Sequence, residues 1–311
     1  MTRSGAVLMT GATGFIGRHL ARHLAGLGYV VTSLQRSDTS VDGVSEIILV
    51  PEFEPPAIAR ALSGRAFDLV FHLASYGVNP TERDADIMFR VNVDVTRSLV
   101  QQAARCGARA VAMAGSGAEY NLGGVTAPVS ERQPLEALKL YGASKAAASL
   151  SAQAIACDLG LPLVVGRLFG VFGPGEAPHR LLPSLVNSLQ NNERVRLSAG
   201  LQRRDVLYVG DAVAALVELA LCIKYQPQQV AINISSGDAP TVRAFAETVA
   251  DTLGAPRSLL GFGDIGTRPD DVACFAGDPQ RLFQLTSWKP AHTLASGIRA
   301  AIDGMTIRAK T

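Results

Sequence analysis

The apolar positions of this chain fall into two alternating textures through its first half. Short β-rich runs at residues 6–9, 29–34, 47–50, 69–73, 110–114 and 163–168 are apolar on both faces, and stretches with helical spacing at 15–27, 56–62, 81–106 and 141–159 lie between them. Strands that bury both faces and are joined by helices specify a parallel sheet covered on both sides. The pattern predicts an α/β fold built on a doubly wound parallel sheet.

After residue 167 the texture changes. A Gly/Pro-rich loop at 170–178 leads into a helix at 181–189, a short strand at 195–197 and a charged turn at 203–205. A helix over 211–221 precedes a strand at 230–234 that is expected to return to the main sheet, and Thr241 suits the N-cap of a further helix at 242–253. The expected organisation is a first domain of residues 1–170 joined by 205–235, with 171–204 and 236–311 forming a smaller C-terminal α+β lobe. The chain has no internal repeat and no polar linker, so the two parts should pack together.

Composition narrows the partners. Lys and Arg number 29 against 27 Asp and Glu, and a net charge of +2 gives no electrostatic footprint for nucleic acid or an anionic membrane surface. The longest apolar candidate, residues 212–223, carries Glu218 and falls short of the roughly 18 residues a membrane span needs. The apolar stretch near the N-terminus breaks at Gly11, Gly14 and Gly17 with no cleavage signal after it, so a cytoplasmic location is expected. Cys106, Cys157, Cys222 and Cys274 lie far apart and match no metal-site spacing; they read as reduced, buried thiols, and no metal is expected.

The segment TGATGFIG at residues 10–17 follows the first strand and opens the first helix. Glycines at 11, 14 and 17 let the backbone approach a pyrophosphate, while the helix N-terminus offers unpaired N–H groups to its charge. Placed there, the turn, including Thr13, Phe15 and Ile16, reads as the fingerprint of a dinucleotide-binding Rossmann domain. A carboxylate at the end of the second strand would bind a ribose 2′-hydroxyl; here the chain has Gln35 followed by Arg36, whose cation suits a 2′-phosphate. NADP(H) is favoured and NAD(H) is the alternative, with a plain solvated arginine the bland reading of Arg36.

Tyr141 and Lys145 stand four apart on an expected helix and project from one face. A phenol is a poor acid or base at neutral pH until a neighbouring ammonium favours its anion. Ser116 follows the fifth strand at the sheet edge where open α/β sheets bind ligands.

With the glycine turn, these residues resemble the extended short-chain dehydrogenase/reductase family, in its nucleotide-sugar epimerase, dehydratase and reductase branch. The likeness runs through FHLAS (71–75), VNVDVT (91–96), AGSGAEY (114–120), YGASK (141–145), RLFGVFGPGE (167–176), RRDVLYVGD (203–211) and SWKP (287–290). It implies that Tyr141 exchanges a proton with the substrate oxygen, that Lys145 serves both the tyrosine and the cofactor ribose, and that Ser116 positions the carbonyl. It implies further that Asn92 supports the lysine, that Leu73 and Ala74 line the cofactor, and that Arg204 and Arg268 grip a substrate diphosphate. Relatives commonly dimerise through the helices expected here at 81–106 and 141–159, so a homodimer is expected.

Departures from the family pattern bear on the reaction. Dehydratases carry an Asp-Glu pair directly after the hydroxyl residue, and this chain has Gly117 and Ala118, with Glu119 one position too far along. Gly170 stands where many epimerases have Asn, and Gln35 where they have an acid. His72 reads as a strand histidine lining the cleft. The resemblance thus implies NADPH-dependent reduction of a nucleotide-linked 4-keto-6-deoxyhexose. The alternatives are a nucleotide-sugar 4-epimerase with retained cofactor and, further off, a non-catalytic dinucleotide-binding protein.

Overall fold

The computed structural model describes residues 5–79, 81–225, 228–268 and 271–308. Its first elements are β1 (Ala6–Thr10), α1 (Phe15–Gly26), β2 (Val30–Gln35), β3 (Glu46–Leu49), α2 (Pro55–Leu62) and β4 (Leu69–His72). There follow α3 (Ala85–Phe89), a π-helical turn (Arg90–Asp94), α4 (Val95–Arg105), β5 (Ala110–Ser116), a 3₁₀ turn (Gly117–Glu119), α5 (Leu140–Asp158) and β6 (Leu163–Leu168). The second half contains β7 (Gly170–Phe172), α6 (Leu181–Gln190), β8 (Val195–Leu197), β9 (Arg203–Arg204), β10 (Val206–Tyr208), α7 (Val209–Tyr225) and β11 (Gln229–Ile234). The chain closes with α8 (Val242–Leu253), β12 (Leu260–Phe262), β13 (Cys274–Phe275), α9 (Gln280–Leu285) and α10 (Leu294–Arg308).

Seven parallel strands form the central sheet in the order β11-β6-β5-β4-β1-β2-β3. Alternate residues of each strand feed opposite cores, as the two-residue period of a strand requires. Val7, Met9 and Phe71 face α1 and α7, while Leu8, Val70 and Val111 face α2, α4 and α5. This is the doubly wound Rossmann-like architecture that the apolar runs predict. The strand order reverses between β1 and β4, and open α/β sheets bind ligands outside the carboxyl ends of the strands at such a switch point.

A third core fills the smaller lobe, where α6, α8 and α10 pack on β8 and β12 through Leu185, Phe245, Val249 and Ile298. Here the structure departs from the sequence reading in detail. The Gly/Pro-rich loop begins with a strand, β7, paired with β10, and the charged turn is β9, paired with β13. Both pairings join segments more than thirty residues apart, which no local pattern encodes. The helix expected over 81–106 starts instead at α3, where the Asp84 side chain accepts from Ile87 N and caps it, and it contains the π turn. The four cysteines are free, but only Cys106 and Cys274 are buried; Cys157 is exposed and Cys222 intermediate. Among the described residues no helix is long and apolar enough to cross a membrane.

Candidate active site

At the switch point the chain turns sharply out of β1. Gly11 adopts φ +74°, a left-handed conformation that costs glycine little, and Gly14 N donates to Gly11 O at 3.0 Å. A Cβ on Gly17 would lie 2.0 Å from Gly11 O, and one on Gly11 would lie 2.8 Å from Ala74 N. The spacing of the glycines is thus a packing requirement of helix against turn and turn against β4. Leu73 N and Ala74 N donate to Thr10 O and Thr10 Oγ1, both at 3.2 Å, which fixes these two residues beside the turn.

The N-cap of α1 is Gly14, with no side-chain cap, so its opening N–H groups remain for an anion. Thr13, Phe15 and Ile16 surround that helix start, half-buried. His19, one turn on, donates through Nε2 to the carbonyl of Pro174 at 2.8 Å and holds the loop after β7 against α1. These residues fit the pyrophosphate of a dinucleotide.

At the end of β2, Gln35 is buried and turned inward. Its Nε2 donates to the carbonyls of Ser37 and Thr39, each at 2.9 Å, and its Oε1 accepts from Ser33 Oγ at 3.0 Å. Gln35 is therefore the clamp of the loop that follows, and Arg36 is left exposed at the strand end.

His72 is buried at the end of β4 between two threonines. Thr96 Oγ1 donates to Asn92 O at 2.6 Å, so it accepts from His72 Nε2 at 2.8 Å; His72 Nδ1 then accepts from Thr10 Oγ1 at 2.7 Å. The network specifies the neutral Nε2–H tautomer. Burial and the nearby Lys145 charge push the imidazole down to about 3. A ring so held joins β1, β4 and α4 and has no spare lone pair for a substrate.

Ser116, Tyr141, Lys145 and Asn92 converge beside this wall. Gly142 lets α5 approach the 3₁₀ turn, since a Cβ there would lie 2.3 Å from Ala118 O. Burial raises the pKa of Tyr141, and the hydroxyls of Ser75 and Ser116 oppose the rise. Lys145 is buried and donates from Nζ to Ala114 O at 2.7 Å. The leading influence on the phenol is therefore desolvation, where the sequence reading expected the Lys145 ammonium. Ser116 Oγ accepts from Ala118 N at 3.1 Å, so its own proton is free to donate.

Asn92 lies in the π turn, and its amide bonds to the neighbours of the site rather than to the Lys145 amine. Its Oδ1 accepts from Ser75 Oγ at 3.1 Å and Tyr76 N at 2.8 Å, and its Nδ2 donates to Tyr76 O and Ser144 Oγ, both at 3.0 Å. Ser75 is a site residue that the sequence reading passed over. Its signal was a hydroxyl three residues beyond β4, at the same sheet edge as Ser116.

In the smaller lobe Arg204 is half-buried, and its guanidinium donates to Asp271 and to the carbonyls of Arg203 and Val272. Arg268 is exposed three residues before Asp271 and accepts Asp271 N through its own carbonyl at 3.1 Å. Asp271 thus links the two segments, through its carboxylate to the Arg204 guanidinium and through its backbone N–H to the Arg268 carbonyl. Arg180, at the start of α6, pairs with Glu176 at 3.4 Å and acts electrostatically on Tyr141. Burial pushes the Glu176 carboxyl up to about 7.

Comparison with known proteins gives the chain's family. Residues 7–235 match the family described as "NAD dependent epimerase/dehydratase family". A dTDP-glucose 4,6-dehydratase of Streptomyces griseus is 29% identical over 312 residues, covering 95% of this chain and 92% of its own length. A dTDP-4-dehydro-6-deoxyglucose reductase of Escherichia coli is 25% identical over 324 residues, covering 97% and 98%. The solved structure of MoeE5 in complex with UDP-glucose and NAD superposes with a TM-score of 0.84 at 28% identity, covering 99% of this chain and 100% of that one.

Proposed function

The chain belongs to the NAD dependent epimerase/dehydratase family, and from that premise we propose that it is an NADPH-dependent reductase of a nucleotide-linked 4-keto-6-deoxyhexose. The observation that carries the reading is the convergence of Ser116, Tyr141 and Lys145 on a turn with no room for a dehydratase's acid. A Cβ on Gly117 would lie 2.6 Å from the Phe169 ring, so an aspartate there would have to displace Phe169, which packs between Tyr120 and Phe275. The set retains what carbonyl reduction needs and lacks what water elimination adds.

A bound nicotinamide dinucleotide supplies the hydride for C4. Tyr141 gives its proton to the oxygen as charge develops there, and burial keeps the phenol protonated until that moment. Ser116, whose Oγ already accepts from Ala118 N, donates a hydrogen bond through its hydroxyl to the same oxygen and holds it in place. Lys145, whose Nζ donates to Ala114 O, would hold the ribose of a bound cofactor and steady the phenolate left behind. Arg204 and Arg268 take the diphosphate, for which the planar guanidinium is suited. Arg36 takes the 2′-phosphate of NADPH.

The test is loss of reduced-nicotinamide absorbance with a prepared nucleotide 4-keto-6-deoxyhexose. Tyr141→Phe should lower kcat by roughly 10²- to 10⁴-fold with cofactor affinity little changed, whereas Lys145→Met should damage both. A Tyr141→Phe variant with near wild-type turnover would sink the mechanism. The second reading is a 4-epimerase using the same three residues, favoured by the likeness to MoeE5, whose structure holds UDP-glucose and NAD. Interconversion of sugar epimers without net consumption of NADPH would decide for it.

A further inference from the structure

We propose that Glu119 is a positioning residue for this chemistry: clamped by Arg167, its carboxylate fixes the turn that carries Ser116 and sets the electrostatic surroundings of Tyr141 and Lys145. The proposal rests on the roles assigned above to Ser116 and Tyr141. Glu119 ends the 3₁₀ turn that begins just after β5 and is fully buried. Its Oε1 accepts from Ser116 N at 2.9 Å, and Ser116 Oγ accepts from Ala118 N, so turn and serine hold each other in a reciprocal capping box. The serine's oxygen is aimed by this turn.

The other carboxylate oxygen is held from β6. Arg167 Nε donates to Glu119 Oε2 at 2.8 Å, and Arg167 Nη1 donates to Tyr120 Oη at 2.9 Å, with the guanidinium 4.6 Å over the Tyr120 ring. Tyr120 Oη donates in turn to Asn233 Oδ1 at 2.7 Å, and Asn233 Nδ2 donates to Val129 O at 2.8 Å. Ser116 is thereby anchored to two neighbouring strands, β6 and β11, through a chain of satisfied buried groups, an arrangement that rigidifies. Burying an ion pair contributes little to stability, because desolvation offsets the attraction. Its placement on the amide of Ser116 is better explained by geometry than by stability.

The same carboxylate acts electrostatically on the reacting couple. Tyr141 is surrounded by Glu119, Arg180, Ser75 and Ser116, and Lys145 by Glu119 and His72. Burial raises the Tyr141 pKa and lowers that of Lys145, and the Glu119 charge adds to the first and opposes the second. That charge therefore favours a protonated phenol and a protonated amine, the forms from which a reduction starts.

Glu119→Gln keeps the side-chain volume and an acceptor for Ser116 N while removing the charge. The phenolate titration of Tyr141, read as the absorbance difference between each protein and its Tyr141→Phe counterpart, should move to lower pH in the variant. Turnover should fall on the order of ten- to a hundredfold, with KM and cofactor Kd within about threefold. Since Glu119→Gln leaves Arg167 without its anion, the double variant Glu119→Gln/Arg167→Met serves as a partner with no lone buried charge. Arg167 is not among the charges acting on Tyr141, so the titration should shift the same way. An unmoved titration together with unchanged kcat in both variants overturns the proposal, even if the wild type reduces ketosugars as expected. A shifted titration in a protein that reduces no ketosugar upholds the electrostatic role of Glu119 and removes the reductase reading instead.

Discussion

Asn92 Nδ2 lies 3.0 Å from Ser144 Oγ, a contact that ties the π turn before α4 to the helix carrying Tyr141 and Lys145. A π turn inserts one residue into a helix and is frequent at functional sites. Here it turns an amide inward where four groups need it, two on Tyr76 and one each on Ser75 and Ser144. Asn92 and Ser144 are buried while Ser75 and Tyr76 are half-buried, so solvent can replace the amide only in part if it is lost.

Asn92→Ala should therefore destabilise the fold by about 1–3 kcal/mol, the cost of leaving polar groups in a largely buried site unpaired. Denaturant unfolding should show a lower midpoint with the slope unchanged. A loss under about 0.5 kcal/mol, the range of ordinary surface substitutions, would show that water or local shifts replace the amide.

Much of this was legible because it is local. Apolar runs on both strand faces require covering helices, and the spacing of Gly11, Gly14 and Gly17 follows from how near one turn's backbone comes to itself and to β4. What the sequence could not display are pairings across distance. Glu119 finds Arg167 from another strand, Arg204 finds Asp271 across the smaller lobe, and Gln35 turns its amide away from the cleft to close its own loop. In each case residue type and local spacing suit several partners, and only the packed strands choose among them.

Arg36 is the exposed cation at the end of β2, beyond the clamped Gln35. If it meets a 2′-phosphate, Arg36→Ala should remove a charge-assisted bond of roughly 1.5 to 3 kcal/mol. The NADPH-over-NADH preference, measured as the ratio of dissociation constants, should then shrink by about ten- to a hundredfold. Equal affinity of the wild type for both cofactors would reject NADPH as the preferred one.

Asp205 gives a prediction in pH. Its Oδ1 accepts from Ser236 N and Oγ, both at 3.0 Å, while its Oδ2 is buried with no partner among the described residues. Burial pushes the carboxyl from the usual 3.8 up to about 7, so the folded protein holds a proton that the unfolded chain has released. The contribution to stability is fully present below pH 3.8 and is lost as pH rises toward 7. Asp205→Asn has no proton to lose, so the Tm of the wild type should fall relative to the variant between pH 4 and 7 and run parallel to it at higher pH. A constant gap across that range would mean that Asp205 is ionised throughout.

The pairing of Arg204 with Asp271 makes the diphosphate proposal testable in both directions. An anion arriving at Arg204 must either displace Asp271 or sit beside it against like charge, and Asp271 is about a fifth exposed, so the pair is open to exchange. Arg204→Ala should weaken nucleoside-diphosphate binding by roughly tenfold or more, as expected for a lost charge-assisted bond. Asp271→Asn should do the opposite, since it removes a competing carboxylate while leaving an oxygen for the guanidinium. The double variant should bind as weakly as Arg204→Ala alone, because the gain from Asp271→Asn acts only through Arg204. Arg268→Ala, on the exposed arm of the same loop, should cost less and lose its effect at high salt. Calorimetry with uridine and thymidine diphosphates measures the wild type and the four variants. Unchanged affinity in both Arg204→Ala and Arg268→Ala would show that the substrate carries no diphosphate at this loop.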